Sequence, residues 1–227
     1  MRKNDNKGSG LKASSALVFE ACGRDWRIRR PADLESLWAA IDEEIFNEDE
    51  RLPYWVEVWP ASQALADWLW EQRDAINGRL CLDLGCGLGF TALAASLCGA
   101  RVLAADYERE ALSYARINAA VNAAPSPFWL AMDWRRPALM AGSLDYIWAS
   151  DVLYEKRFAG PVLDFISHAL APRGKVWLTD PGRNTFTHFR SLLPRAGFSL
   201  KLARRLAVEP LYAHKAKVDV DIWEISA

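Results

Sequence analysis

No stretch of this chain approaches the roughly 20 consecutive apolar residues that a bilayer-spanning helix needs, so no membrane span is expected. The opening MRKNDNKGSG is polar and lacks the apolar core of a secretory signal. Histidine is scarce: His168, His188 and His214 form no constellation, His168 reading as a helix-face residue and the others as surface groups. The four cysteines (Cys22, Cys81, Cys86, Cys98) show neither a C-x-x-C pair nor a Cys/His spacing suited to zinc, so no metal centre is expected. Three of the four fall in strand-like or helix-like segments, as small buried hydrophobes do, and a reducing cytoplasm is the simplest compartment for them. Net charge is almost absent, at −1 with a pI near 6.3, so no global field would attract a nucleic acid. Arg24, Arg27, Arg29 and Arg30 cluster, but the acidic run 42–50 offsets them, and solvated faces explain both. Internal repeats and low-complexity tracts are missing too. What remains is a globular profile: 227 residues, 51% apolar and 25% charged, with eleven tryptophans that imply several amphipathic surfaces.

Residues 1–13 read as a disordered leader and 14–60 as an N-terminal extension, with the main domain over 61–227. Within the extension, Ala16–Ile28 alternates weakly around Gly23, as a hairpin would. Asp33 then caps a helical pattern formed by Leu34, Leu37, Trp38, Ile41 and Ile45. Residues 54–58 alternate, which would put Trp55, Glu57 and Trp59 on one side of an extended run and Tyr54, Val56 and Val58 on the other. A helix starts at Ala61 or Ser62, carries Ala64, Leu65, Trp68, Leu69 and Ile76 on one side, and stops at Asn77-Gly78.

From Gly78 the rhythm changes to short apolar strands separated by helices. Strands are expected at 79–84, 101–106, 127–132, 144–150 and 174–179, with helices at 90–98, 108–122, 158–170 and 186–195. Two more strands follow at 199–208 and 218–225. Alternation of this kind implies parallel pairing through right-handed crossovers, hence a doubly wound, mostly parallel α/β sheet. Ligands bind such sheets outside the carboxyl ends of the strands.

Directly after the first of these strands comes DLGCGLGF, with Asp83, Gly85, Gly87 and Gly89 spaced by two. Glycines there let the backbone turn sharply and approach a ligand. The dinucleotide fingerprint needs a small residue where Phe90 stands, and no Gly-Lys-Ser/Thr follows to make a phosphate loop. A carboxylate at the strand's end also suits a cationic ligand better than a phosphate. Asp106 ends the next strand, 21 residues beyond Gly85, and Asp133-Trp134 ends the third. One aspartate after a strand is an ordinary turn or cap; three at successive strand ends, registered with the loop, are not.

The D-x-G-x-G-x-G loop with these carboxylates resembles the nucleoside-binding site of class I S-adenosylmethionine-dependent methyltransferases. The resemblance implies a Rossmann-like seven-stranded fold and S-adenosylmethionine as cofactor, with S-adenosylhomocysteine as product. It assigns Asp83, Gly85, Cys86, Gly87 and Gly89 to the cofactor loop, Asp106 and Tyr107 to the ribose, Asp133 and Trp134 to the adenine, and Ser150 and Trp59 to the pocket wall. Three further motifs resemble the family-16 type of seven-strand protein-lysine methyltransferases. These are WPAS (59–62), SDVLYE (150–155) and TDPGR (179–183), the last most like the subgroup acting on the electron-transfer flavoprotein β subunit. WPAS departs from that subgroup's WPGG, and Asn184 stands where proline is common. The resemblance makes Asp151 and Tyr154 the catalytic candidates and a protein lysine the acceptor. Arg183 reads equally as a contact for an acidic substrate patch and as a salt bridge to Asp180 or another nearby acid. Trp55 and Glu57 are candidate substrate-channel residues. A small-molecule amine methyltransferase and a catalytically silent cofactor-binding protein are the alternatives.

Overall fold

The computed structural model describes residues 15–38, 53–211 and 216–227. The leader, Ile41, Ile45, the acidic run 42–50 and His214 lie outside the described residues.

Strands β1 (Ser15–Ala21) and β2 (Arg24–Arg30) form the expected hairpin, paired from Ser15 opposite Arg30 to Ala21 opposite Arg24. Its turn residues, Cys22 and Gly23, both have positive φ (55° and 67°), the mirror-image turn that matches strand twist. Asp33 Oδ1 accepts the Ser36 N–H at 2.7 Å and caps α1 (Leu34–Trp38).

Residues 54–58 differ from the extended run their alternation suggested. Tyr54–Val56 is a single 3-10 turn, with the Val56 N–H donating to Pro53 O at 3.1 Å. Val56, Glu57 and Val58 are consequently all buried, where a strand would have alternated. Burying Glu57 is tolerable because its carboxylate pairs with Arg30 and accepts the Leu34 N–H at 3.1 Å. Helix α2 (Pro60–Glu71) begins one or two residues earlier than Ala61 or Ser62. The fixed φ and missing N–H of Pro60 fit the first helical position, and Trp59 is the cap.

The remaining elements are α3 (Arg73–Ile76), β3 (Leu80–Leu84), α4 (Phe90–Leu97), β4 (Arg101–Asp106), α5 (Arg109–Val121), β5 (Phe128–Ala131) and β6 (Leu144–Ser150). Then come α6 (Ala159–Ala169), β7 (Leu170–Asp180), α7 (Asn184–Leu192), β8 (Ser199–Val208) and β9 (Val218–Ser226). Helix α7 stops short of Arg195 because Pro194 has no N–H to continue it, and a 3-10 turn over Leu193–Ala196 finishes the segment.

Seven strands form one sheet in the order β5-β4-β3-β6-β7-β9-β8, parallel except for β9. The chain winds outward from β3 to β5 and then crosses back to β6, so the winding reverses between β3 and β6, where such sheets bind ligands. Strand alternation sends Leu82, Ile147, Ala149 and Leu178 to one face, against Phe165 and Ile166 of α6 and Phe189 of α7. Cys81, Trp148 and Trp177 face the other way, against Leu65 and Leu69 of α2 and Ala92 and Ala95 of α4.

A third cluster joins the hairpin to the sheet domain: Trp26 and Ile28 pack with Leu88, Phe90 and Tyr114. Trp26 is 1% exposed and meets the Phe90 ring edge-on at 5.0 Å. Trp26→Ala should therefore cost about 3–5 kcal/mol, read as a lower urea midpoint; an unchanged midpoint would mean that the hairpin does not share the core.

Candidate active site

The site is built from the loops that leave β3, β4, β6 and β7. At the end of β3, Asp83 is 1% exposed, and its Oδ2 accepts the Thr91 hydroxyl at 2.6 Å. Among the described residues neither its Oδ1 nor the indole nitrogen of Trp148, the residue opposite Asp83 across the ladder, makes a hydrogen bond of normal geometry. Burial pushes the Asp83 carboxyl up to about 7; the Thr91 hydroxyl and the nearby Trp148 indole oppose the rise without cancelling it.

The chain then turns over the end of β4. The Gly85 and Cys86 N–H groups donate to Ala105 O at 2.9 and 3.0 Å, and Gly87 N–H donates to Asp106 Oδ2 at 2.8 Å. Gly85, Gly87 and Gly89 all have positive φ (75°, 50° and 85°). A Cβ on Gly85 would lie 2.9 Å from Val152 Cγ1, and one on Gly87 would lie 3.3 Å from Trp55 O. The 54–56 turn thus rests directly on the loop. Cys86 joins it through its backbone, with burial holding its thiol far above the usual range.

Asp106 Oδ1 accepts the Glu108 N–H at 2.8 Å and Oδ2 the Gly87 N–H, and the Tyr107 N–H is a third backbone donor to the carboxyl, which leaves about one of a carboxylate's roughly four acceptor positions open. Enclosure raises this carboxyl to about 6, against the pull of the Glu108, Gly87 and Tyr107 amides. Tyr107 beside it is 45% exposed. Asp133 is engaged by Arg135 through the backbone N–H and the guanidinium at 2.8–2.9 Å, which holds its carboxyl below the usual range. Trp134 stands 3.8 Å from the Cβ position of Gly85 and meets Phe158 edge-on at 5.5 Å.

After Ser150, half-buried at the end of β6, Asp151 adopts a left-handed backbone (φ 55°), with its N–H on Thr179 O at 3.0 Å. Aspartate is among the residues that tolerate this region, and such strain gathers at functional sites. Both carboxylate oxygens of Asp151 are gripped by the Arg183 guanidinium, Oδ2 at 2.6 Å. Asp180 Oδ2 accepts the Gly182 and Arg183 N–H groups at 2.8 and 3.0 Å, so the DPGR turn aims Arg183 at Asp151. Of the two readings of Arg183, the pairing with a nearby acid is the one formed, and the acid is Asp151.

Tyr154 lies in an arc of rings. It meets Tyr54 edge-on at 5.2 Å and Phe158 at 5.1 Å, while Tyr54 meets Trp59 at 6.1 Å. Burial first, then the Glu155 and Asp106 carboxylates, pushes the Tyr154 phenol up to about 12. Trp59 donates its indole N–H to Tyr54 O at 2.8 Å, which fixes the turn. Tyr54 is the residue that sequence reasoning missed. The signal was Pro53, which starts a turn and not a strand. Two expected channel residues sit elsewhere: Glu57 is spent on Arg30, and the Trp55 ring packs 6.0 Å from that of Tyr114. Both follow from the 3-10 turn, which rotates alternate residues off a common face.

Together these loops suit a cationic nucleoside. The glycines open the backbone to close approach, Asp106 keeps an acceptor position for a hydroxyl, and Asp83 has an oxygen that no donor among the described residues meets. Fold and site define a nucleoside-binding α/β protein of the methyltransferase type. Magnesium protoporphyrin IX methyltransferase from Synechocystis, solved with bound S-adenosylhomocysteine, shares the fold: TM-score 0.57, 19% identity, 73% of this chain and 82% of that one. The chain belongs to the lysine methyltransferase family, whose model matches residues 42–188. It is 33% identical over 156 residues to the electron transfer flavoprotein beta subunit lysine methyltransferase of Xenopus laevis, covering 65% of this chain and 61% of that protein. It is also 28% identical over 144 residues to human histone-arginine methyltransferase METTL23, covering 60% of this chain and 75% of that protein. The chain thus spans less than two thirds of the frog relative's length.

The raised Asp83 carboxyl has a consequence for stability. Its folded value of about 7 lies above the ordinary 3.8, so its contribution is fully present below the ordinary value and is lost as pH rises through about 7. Melting temperature should fall between pH 5 and about 8, and Asp83→Asn should flatten that slope. An identical slope in the variant would remove Asp83 as its source.

Proposed function

We propose that this chain is an S-adenosylmethionine-dependent N-methyltransferase acting on protein lysine side chains, and that the electron-transfer flavoprotein β subunit is the first substrate to test. The observation that carries this reading is the Asp151–Arg183 pair beside Tyr154, next to the glycine loop and Asp106. The family and the named frog relative support it.

Bound S-adenosylmethionine supplies a methyl group on a sulfonium, open to in-line attack by an amine. The backbone of 85–89 and the Asp106 carboxylate would hold the nucleoside, with Trp134 beside it and Asp83 balancing its positive charge. An acceptor lysine begins as an ammonium with a pKa near 10.4 and has to lose a proton first. Asp151, paired with Arg183, retains acceptor positions that orient the amine N–H groups. The Tyr54, Tyr154 and Phe158 rings exclude water and favour the neutral amine by desolvation. The proton leaves to solvent, and the lone pair is aligned with the methyl carbon.

The test is to incubate the purified chain with methyl-labelled S-adenosylmethionine and cell lysate. Labelled protein whose methyl groups map to lysine by mass spectrometry is the expected result; label confined to the low-molecular-weight fraction would replace the protein acceptor with a small amine. Asp151→Asn, which keeps the shape and an acceptor for Arg183, should lower turnover by about a hundredfold with S-adenosylhomocysteine affinity retained. Full turnover in that variant would remove Asp151 from the site.

A further inference from the structure

The β1–β2 hairpin lies outside the matched residues 42–188, yet it is fastened to the glycine loop. The fastening runs through Asn118 on α5, which is completely buried. Its Oδ1 accepts the Arg29 N–H at 2.7 Å, and its Nδ2 donates to Arg29 O at 3.1 Å and to Leu88 O at 3.0 Å. One helical turn on, Asn122 repeats the pairing with β2: Arg27 N–H to Oδ1 at 2.9 Å and Nδ2 to Arg27 O at 2.9 Å. Its second donation goes to Asn118 O, within its own helix. The two side chains thus occupy the edge of β2 as the peptide groups of a third strand would. Only Asn118 reaches the loop.

Leu88 lies between Gly87, whose N–H binds Asp106, and Gly89, whose Cβ position is 2.9 Å from Ala115 Cβ on the same helix. Phe19 and Trp26 of the hairpin meet the Phe90 ring edge-on at 5.1 and 5.0 Å. At the hairpin's end, Arg30 pairs with Glu57, directly after the turn whose Trp55 carbonyl lies against Gly87. Gly87, Leu88 and Phe90 are therefore each held by the hairpin or by an element it anchors. A loop with three positive-φ glycines loses much conformational entropy on ordering, and holding it in advance raises ligand affinity.

We propose that Asn118 is a positioning residue for the glycine loop, and that the N-terminal hairpin acts through it as a clamp on the cofactor site. The proposal rests on the cofactor reading above. The test compares Asn118→Ala with Asn122→Ala by calorimetry with S-adenosylhomocysteine and by hydrogen exchange over 86–90. Both variants should loosen β2 and lower the melting temperature. Asn118→Ala should also weaken S-adenosylhomocysteine roughly tenfold and speed exchange over 86–90. Asn122→Ala should leave both within about twofold of wild type. Equal affinity losses in the two variants, or unchanged exchange over 86–90 in Asn118→Ala, would overturn the clamp. Should Asn118→Ala fail to fold, Asn118→Ser carries the same comparison. A wild-type chain that does not bind S-adenosylhomocysteine would refute the cofactor reading, and the exchange comparison would still decide the clamp.

Discussion

The hydrogen bond from the Gly87 N–H to Asp106 governs the carboxyl edge of the sheet. Because β3 and β4 are parallel neighbours, the loop leaving β3 has to cross the end of β4 before α4 can begin. Gly85, Cys86 and Gly87 make that crossing by donating in turn to Ala105 O and Asp106. The crossing requires left-handed backbone at alternate residues and leaves no room for side chains against Val152 and Trp55. It also encloses Asp83 with one oxygen unpaired, a state that burial makes unfavourable for the charged form. Apolar clusters on both faces of the sheet offset these local costs. What results is a strand edge that carries the Asp83 and Asp106 carboxyls side by side with the glycine loop.

The other half of the site is made by β6 and β7. Their register sets Ser150 opposite Thr179, so the residues that follow each strand, Asp151 and Asp180, emerge side by side. Asp180 uses its carboxylate on the backbone of its own turn, which directs Arg183 back to Asp151. Burial raises the Asp151 carboxyl, and Arg183 opposes the rise. The pair therefore presents acceptor atoms with little net charge at the carboxyl edge of the sheet.

Much of this was legible in the sequence. Most strands of the large sheet lie close to their expected spans because short apolar runs punctuated by glycine or proline leave few alternatives, while β7 begins four residues before the expected 174, at Leu170. The glycine loop was legible from spacing alone. What stayed hidden depends on partners far away in the chain. Arg183 and Asp151 are 32 residues apart, and Asn118 and Arg29 are 89 apart. From sequence, Asn118 and Asn122 look like polar positions on a helix face, since nothing local shows that β2 covers them. Glu57 misled for the same reason, because Arg30 lies on an element whose docking no periodicity reveals.

Phe90 connects the two levels. A small residue there would let α4 close on β3, as a pyrophosphate-binding turn requires. The phenyl ring instead points away from the ligand edge and fills the space between the loop and the hairpin, 3% exposed, with the Phe19 and Trp26 rings edge-on to it. The side chain that spoils the dinucleotide fingerprint is thus the one on which the N-terminal hairpin seats. Shrinking it would open a cavity among these aromatics and loosen the seat of the hairpin beside Asn118 and Leu88. The choice of ligand class and the presence of the hairpin are therefore coupled through one residue, and neither feature is complete without the other.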